Sequence, residues 1–297
     1  MNSALTTNIG IFGLKLLARL PFRFIYIIAD IFYFFVYYVA GYRQKVIITN
    51  LSNAFPEKTS IEIKKIAERY YRHFSDLMLE SIKMRHMSVK DFKKRMIIAN
   101  PELVNQFYDK GKSVVVLTMH YNNWEWSCCF PLYLKHTNIG VYKQLHNREI
   151  DKFIYQNRSR MGGELVQDKN ILRRIIKAEK QKEPVFVWLA GDQTPHPEQQ
   201  FWFTFLNQDA LFYPGPAVIS KKFDQPVFFQ KIEKTGRGKY KTTFELLFEN
   251  PNMHSEAEII KTYIEHMEKV IREKPEYYLW SHRRWKHKRP EGIELTL

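Results

Sequence analysis

The sequence predicts an α/β protein, a mostly parallel β-sheet flanked by helices, with a membrane-associated helix at the N-terminus. Three observations carry this expectation. From residue 113 onward, short β-branched or aromatic runs alternate with helical patterns, the arrangement of strands joined by crossover helices. The turn "TGRGK" (235–239) joins two late runs into an antiparallel pair. Near the N-terminus, "FIYIIADIFYFFVYYVA" (24–40) has Asp30 as its one clearly polar member.

That N-terminal stretch of 17 residues spans about 25 Å as a helix, against a bilayer core of about 30 Å. Eight of the 17 are Phe or Tyr, and Tyr favours the membrane–water interface. Upstream, Lys15, Arg19 and Arg23 recur every four residues beside Leu14, Leu16, Leu17 and Leu20. On a helix they make a basic stripe suited to anionic head groups. The segment therefore reads as an anchor that either spans the bilayer or lies on it. A signal peptide does not fit, because no small-residue cleavage site follows and the segment is long and aromatic. Arg43 and Lys45 come next, which places the body on the cytoplasmic side. The division expected is residues 1–41 as anchor or interfacial helix and 42–297 as the catalytic domain.

Thr59-Ser60-Ile61-Glu62 is a capping box. It opens a helix with the apolar stripe Ile63, Ile66, Tyr70, Phe74 and Leu77. Asn100 and Pro101 begin another helix, Asn as cap, which Gly111 ends. Residues 1–100 are thus helical. "SVVVLTM" (113–119) is a buried strand, followed by a loop and a helix from about Trp124. "IGVYKQL" (139–145) is a second strand, and Asn147 caps a helix closed by Gly162-Gly163. A basic helix covers about 170–181, and "PVFVWLA" (184–190) is a third strand. Pro214-Gly215-Pro216 starts a short helix, then "PVFFQKI" (226–232) and "YKTTFELLFE" (240–249) are the paired strands. Ser255-x-x-Glu258 caps a last long helix.

The chain of 297 residues has a net charge of +15, which implies an anionic partner: a membrane surface, an acidic carrier or substrate, or nucleic acid. The two cysteines, Cys128 and Cys129, are adjacent and have no third to pair with, which suits a reducing compartment and small core residues. No Cys/His spacing suggests zinc.

In open α/β sheets, chemistry gathers at the carboxyl ends of strands. Two polar clusters stand there: His120-Tyr121-Asn122-Asn123-Trp124-Glu125, and Gly191-Asp192-Gln193. A spacing of five residues puts His120 and Glu125 roughly 140° apart on an ideal helix, so they meet only if His120 lies in the loop and folds back. Glu125 would then accept from one ring nitrogen and leave the other free as a base. The plainer alternative is a loop histidine and a solvated glutamate. No Ser or Cys nucleophile elbow accompanies the pair, so a substrate hydroxyl would attack directly. No third residue at useful spacing completes a metal site.

H-x4-E after a buried strand resembles the H-x4-D/E motif of glycerolipid and lipid A acyltransferases, whose sheet type the fold would share. More specifically, "YRQKVIITNLSNAFPE" (42–57), "HYNNWE" (120–125), "NRSRMGG" (157–163), "GDQTP" (191–195) and "PEYYLWSHRRWKHKRP" (275–290) occur in the order seen in the late acyltransferases of lipid A biosynthesis, the lauroyl/myristoyl transferases. The resemblance spans nearly the whole chain. It implies transfer of an acyl chain from acyl carrier protein to a hydroxyl of a lipid A precursor, at the cytoplasmic face of the inner membrane, with no cofactor, metal or nucleic acid. It implies His120 as general base, Glu125 as its partner, Arg158 with its neighbour Arg160 near the site, and Asp192 and Gln193 as substrate-positioning residues. The sequence departs from the family where Asn207 stands in place of a glycine.

Other acceptors, a lysophospholipid or an aminolipid, would use the same chemistry. A different class, a non-catalytic basic protein binding anionic lipid or nucleic acid, would need only the charge; no RNA-stacking platform motif supports the nucleic acid. Lys169, Arg173, Arg174, Lys177 and Lys180 read as a solvated helix face. His146, His196 and His282 read as non-catalytic. Trp280 and Trp285 among the tail arginines argue for docking at an interface or on the core.

Overall fold

The computed structural model describes residues 3–198 and 201–296. Helices α1 (Ser3–Leu17) and α2 (Phe22–Phe34) open the chain, and α2 continues through a π-helical turn, Phe35–Val39. α3 (Gln44–Ala54) and α4 (Ser60–Lys83) follow. The Thr59 hydroxyl accepts from the Glu62 N–H and the Glu62 carboxylate from the Thr59 N–H, so the expected capping box forms. α4 is the long strut of the N-terminal layer, and the inner face of α2 (Ile25, Ala29, Tyr33) is buried, Ile25 and Ala29 clustering with Leu79 of α4. A side chain such as Ile25 contributes about 1.5–3 kcal/mol on full burial.

α5 (Val89–Arg95), an edge strand β1 (Met96–Ile98) and α6 (Pro101–Asp109) lead to β2 (Val114–Thr118). The first hundred residues are therefore not wholly helical. Asn100 does not cap α6 through its side chain; its amide instead donates to the Phe244 carbonyl at 2.8 Å and its carbonyl oxygen accepts from the Phe244 N–H at 3.0 Å. After β2 the expected α-helix is a 3-10 stretch, Trp124–Leu132, with Pro131 inside it; proline removes a helical donor and clashes with the preceding turn. β3 (Thr137–Tyr142), α7 (Arg148–Arg158), β4 (Glu164–Gln167), α8 (Ile171–Gln181) and β5 (Val185–Ala190) complete the crossover units. The β6–β7 hairpin (Phe201–Phe205, Gln208–Phe212) forms a separate two-stranded sheet. Its turn residues Leu206 and Asn207 have φ of 49° and 62°, a left-handed geometry that Asn tolerates in a glycine's place. α9 (Gly215–Lys222), the long pair β8 (Val227–Gly236) and β9 (Lys239–Phe248), and α10 (Glu256–Glu273) finish the domain.

The seven-stranded sheet has the order β1-β9-β8-β2-β5-β3-β4, and every pairing is parallel except β8 with β9. Strand alternation divides the core in two. Val115 and Leu117 of β2, with Val185 and Val187 of β5, join the cluster on one face of the sheet; Val114, Val116 and Phe186 join the cluster on the other. β2 and β5 are central, adjacent and in register, Thr118 opposite Ala190. The segments that leave their carboxyl ends therefore emerge side by side.

Candidate active site

His120 lies two residues beyond the end of β2 and Asp192 two beyond the end of β5. Equal offsets from neighbouring parallel strands bring them together. The His120 ring Nδ1 is 2.8 Å from Asp192 Oδ1, and the His120 backbone N–H donates to Oδ2 at 3.0 Å. Since a carboxylate is an acceptor, Nδ1 carries the proton and Nε2 presents a lone pair. The Gln193 side-chain amide donates to that Nε2 at 3.1 Å. Asp192 is 2% exposed and His120 20%, so the carboxylate is sealed in while the ring meets the cleft. Burial alone would push the Asp192 carboxyl up, but the His120 ring and N–H beside it, with Arg284 at longer range, hold it below the usual carboxylate range. Gly191 fits closely here: its N–H donates to the Tyr263 hydroxyl at 3.2 Å, and a Cβ would stand 3.0 Å from that ring, so the ring would have to shift.

The expected contact between Glu125 and the imidazole is replaced by this one. Glu125 turns instead to α7, where Arg158 donates from Nε at 2.8 Å to one carboxylate oxygen and from Nη2 at 2.5 Å to the other. The physical reason is the 3-10 stretch, which begins at Trp124 and directs Glu125 away from the strand end, toward the α7 terminus. Burial opposes ionisation of Glu125, but Arg158 outweighs it and its pKa is lowered. Glu125 still reaches His120 indirectly, since it accepts from the Trp124 indole N–H at 3.2 Å and that indole packs edge-on to the His120 ring, centroids 5.0 Å apart.

Arg160 is not brought to the imidazole. Its guanidinium donates to the Met84 and Met87 carbonyls at 2.8 and 2.7 Å and closes the chain after α4. At that burial both Asp192 oxygens face His120. His282 is half-buried, and that burial pushes its pKa down to about 4; its neutral Nε2 accepts from the Thr194 N–H at 3.3 Å. Cys129 is buried and Cys128 partly so.

Two hollows meet at Trp124, Arg158 and Trp188. One is a cleft of about 240 Å³ lined by His120, Gln193, Tyr142 and Lys143. The other is a narrow recess of about 50 Å³, walled by Phe130, Ile139, Leu165 and Phe186 and mostly apolar. The polar cleft that holds His120 thus adjoins an apolar recess.

The sequence reading missed how the C-terminal tail is used. The Leu279 N–H donates to the His120 carbonyl at 3.0 Å, and the Asn122 N–H to the Tyr277 carbonyl at 3.0 Å. The Thr194 hydroxyl donates to the Arg284 carbonyl at 2.7 Å. One strap thereby holds both active loops. Arg43 and Asn50 fasten the strap in turn, through the Ser281 carbonyl at 2.8 Å and the Trp280 and His282 carbonyls at 2.9 and 3.0 Å. The Arg284 guanidinium is fully buried over the Phe212 ring at 4.3 Å, a cation placed to favour the Asp192 charge. Below the loop, the buried Glu80 of α4 accepts from Asn123 Nδ2 at 2.7 Å, from the Tyr240 hydroxyl at 2.8 Å and from the Tyr26 hydroxyl at 3.0 Å. The signal for the strap was the tryptophans among the tail arginines; for Glu80, a carboxylate on the buried side of an amphipathic helix.

The sequence profile of the family described as bacterial lipid A biosynthesis acyltransferase matches residues 1–287. The chain is 23% identical over 294 residues to the lipid A biosynthesis lauroyltransferase of Escherichia coli (strain K12), covering 97% of this chain and 93% of that one. It is 22% identical over 280 residues to a lipid A biosynthesis acyltransferase of Haemophilus influenzae, covering 92% and 85%.

Proposed function

The chain belongs to the bacterial lipid A biosynthesis acyltransferase family, and from that premise we propose that it moves a fatty acyl chain from an acyl carrier protein thioester to a hydroxyl of a lipid A precursor, at the cytoplasmic face of the inner membrane. The observation that carries the proposal is His120, its Nδ1 tied to Asp192 and its Nε2 turned to a cleft that adjoins an apolar recess. Nε2 accepts the hydroxyl proton as the oxygen attacks the thioester carbonyl, exchanging Gln193 for the acceptor. A C–O bond forms and the carbonyl oxygen takes the negative charge. Arg158 spends Nε and Nη2 on Glu125; its remaining Nη1 is the oxyanion donor we favour. Collapse breaks the C–S bond, and the thiolate leaves with the proton returned by the imidazolium. General-base assistance of this kind contributes ~10²–10⁴-fold. The acyl tail would occupy the recess, and the basic surface of the chain suits both an acidic carrier and a phosphorylated acceptor.

The test is acyl transfer by the His120→Ala variant from an acyl carrier protein thioester to a hydroxylated lipid A precursor. Turnover should be lost while the variant stays folded and membrane-bound; full turnover would remove His120 from the mechanism. Wild-type failure on that acceptor with success on a lysophospholipid would reassign the acceptor and keep the chemistry.

A further inference from the structure

α2 has two opposed apolar faces. Ile25, Ala29, Tyr33 and Val36 are buried against the body. Phe24, Ile27, Ile31, Phe35 and Tyr38 form the other stripe and stand in the open, Ile31 64% exposed. By length and composition Phe22–Val39 is able to cross a membrane. Its polar contacts argue against that posture. The Tyr26 hydroxyl donates to Glu80 at 3.0 Å. Asp30, midway along α2, pairs with Arg237 at 2.6 Å, and Arg237 also binds Asp76 of α4 at 2.7 Å. At the start of the helix, the Arg95 guanidinium sits 3.4 Å from the centre of the Phe22 ring. To cross upright, α2 would have to abandon all of these contacts or draw α4 and the β8–β9 turn, with their charges, into hydrocarbon. A charge at the centre of a bilayer costs several kcal/mol.

α1 also leaves apolar side chains in the open. Phe12 and Leu16 are exposed, and α1 packs on α7, where Asn147 donates to the Thr7 hydroxyl at 3.3 Å. α7 ends at Arg158, in the wall of the His120 cleft. Lys15, Arg19 and Arg23 are exposed in and between the two helices, where an anionic surface would meet them.

We propose that α1 and α2 form a platform that lies in the plane of one leaflet of an anionic bilayer, apolar stripe down, and that this posture sets the His120 cleft at the lipid surface, so that a membrane lipid presents its hydroxyl without leaving the leaflet. The second half of the proposal rests on the lipid acceptor proposed above; the posture does not. A helix that lies flat keeps Phe24, Ile31 and Tyr38 at one depth, whereas an upright one separates the first from the last by about 21 Å.

The experiment places an environment-sensitive label on single cysteines at these three positions in the full chain, with Cys128→Ala and Cys129→Ala. The labelled chains are reconstituted with phosphatidylglycerol–phosphatidylethanolamine vesicles carrying quenchers at graded depths. The expected result is one shallow depth for all three labels, with Arg19→Glu plus Arg23→Glu lowering partitioning into these vesicles roughly tenfold or more. A depth that deepens steadily along the helix overturns the proposal in favour of a span. Labels that escape lipid quenching while the protein dimerises overturn it in favour of a second copy on the stripe. Depth is read without turnover, so equal shallow depths in a chain inactive on every lipid acceptor would sink the acyl-transfer reading and leave the posture standing.

Discussion

Asp192 receives both the backbone N–H and the ring Nδ1 of His120, one on each carboxylate oxygen, at 3.0 and 2.8 Å. A single buried anion thereby fixes where the residue sits, how its ring is turned and which nitrogen bears the proton. Replacing Asp192 with Asn keeps the size and removes the charge. The amide can then face Nδ1 with its NH₂, which would move the ring proton to Nε2 and disable the base. Asp192→Asn should lower kcat by about 10²–10⁴ and leave KM for the acceptor near wild type. A variant with unchanged kcat would show that the pair is structural only.

Glu125 and Arg158 form the second carboxylate pair of the site, and its test is thermodynamic. Their paired hydrogen bonds at 2.8 and 2.5 Å are partly shielded from water, so removal of one partner strands the other. Glu125→Gln and Arg158→Met should each destabilise the fold by about 2–4 kcal/mol, while the double variant costs less than the sum by about 1–3 kcal/mol. Denaturant unfolding of the four proteins measures this coupling. Strict additivity would mean the pair carries no mutual stabilisation. Arg158→Lys, which keeps the charge without the fork, should recover little of the activity.

These two pairs mark what could and could not be read from the chain. The strands were legible because β2 and β5 are runs of buried apolar residues, and His120, Asp192 and Gln193 were singled out because they follow such runs. Which carboxylate faces the imidazole was not legible. The family resemblance implied Glu125, five residues away, whereas Asp192 is brought there by a strand order that joins residues 72 positions apart. The same applies to the tail: Leu279 on the His120 carbonyl is a relation between distant segments, with no local periodicity to announce it. The 3-10 stretch was within reach, since Pro131 sits inside "WEWSCCFPL". Asn207 made sense only once its φ was known.

Glu80 gives the fold a pH dependence of definite sign. Burial is the first cause that raises its pKa, from 4.5 to about 7, against the opposing hydrogen bond from Tyr240. A carboxyl whose folded pKa is raised contributes stability that is fully present below the unfolded pKa. That contribution is lost as pH rises toward the folded one, because the unfolded chain has already released the proton. Stability should therefore fall between about pH 4.5 and 7 by an amount on the order of 3 kcal/mol at most. Glu80→Gln mimics the protonated acid and should flatten that slope in denaturant melts taken across the range. An identical slope in the variant would assign the proton to another group.

The apolar recess predicts how donors are selected. If the acyl tail lies between Phe130, Ile139, Leu165 and Phe186, each methylene buried there adds about 0.8 kcal/mol to binding of the chain, close to fourfold in affinity. Trp124 and Trp188 line both the recess and the cleft, whereas Leu165 lines the recess alone, away from His120. Leu165→Trp places a larger side chain in that wall. The variant should shift the optimum in kcat/KM to donors shorter by two carbons or more, with its best donor retaining a kcat within about threefold of wild type, because His120, Asp192 and Arg158 are untouched. The comparison is a series of acyl carrier protein thioesters from eight to sixteen carbons. A uniform loss across the series would mean the tail lies elsewhere and the recess is a packing defect; a preserved optimum at full activity would mean the same.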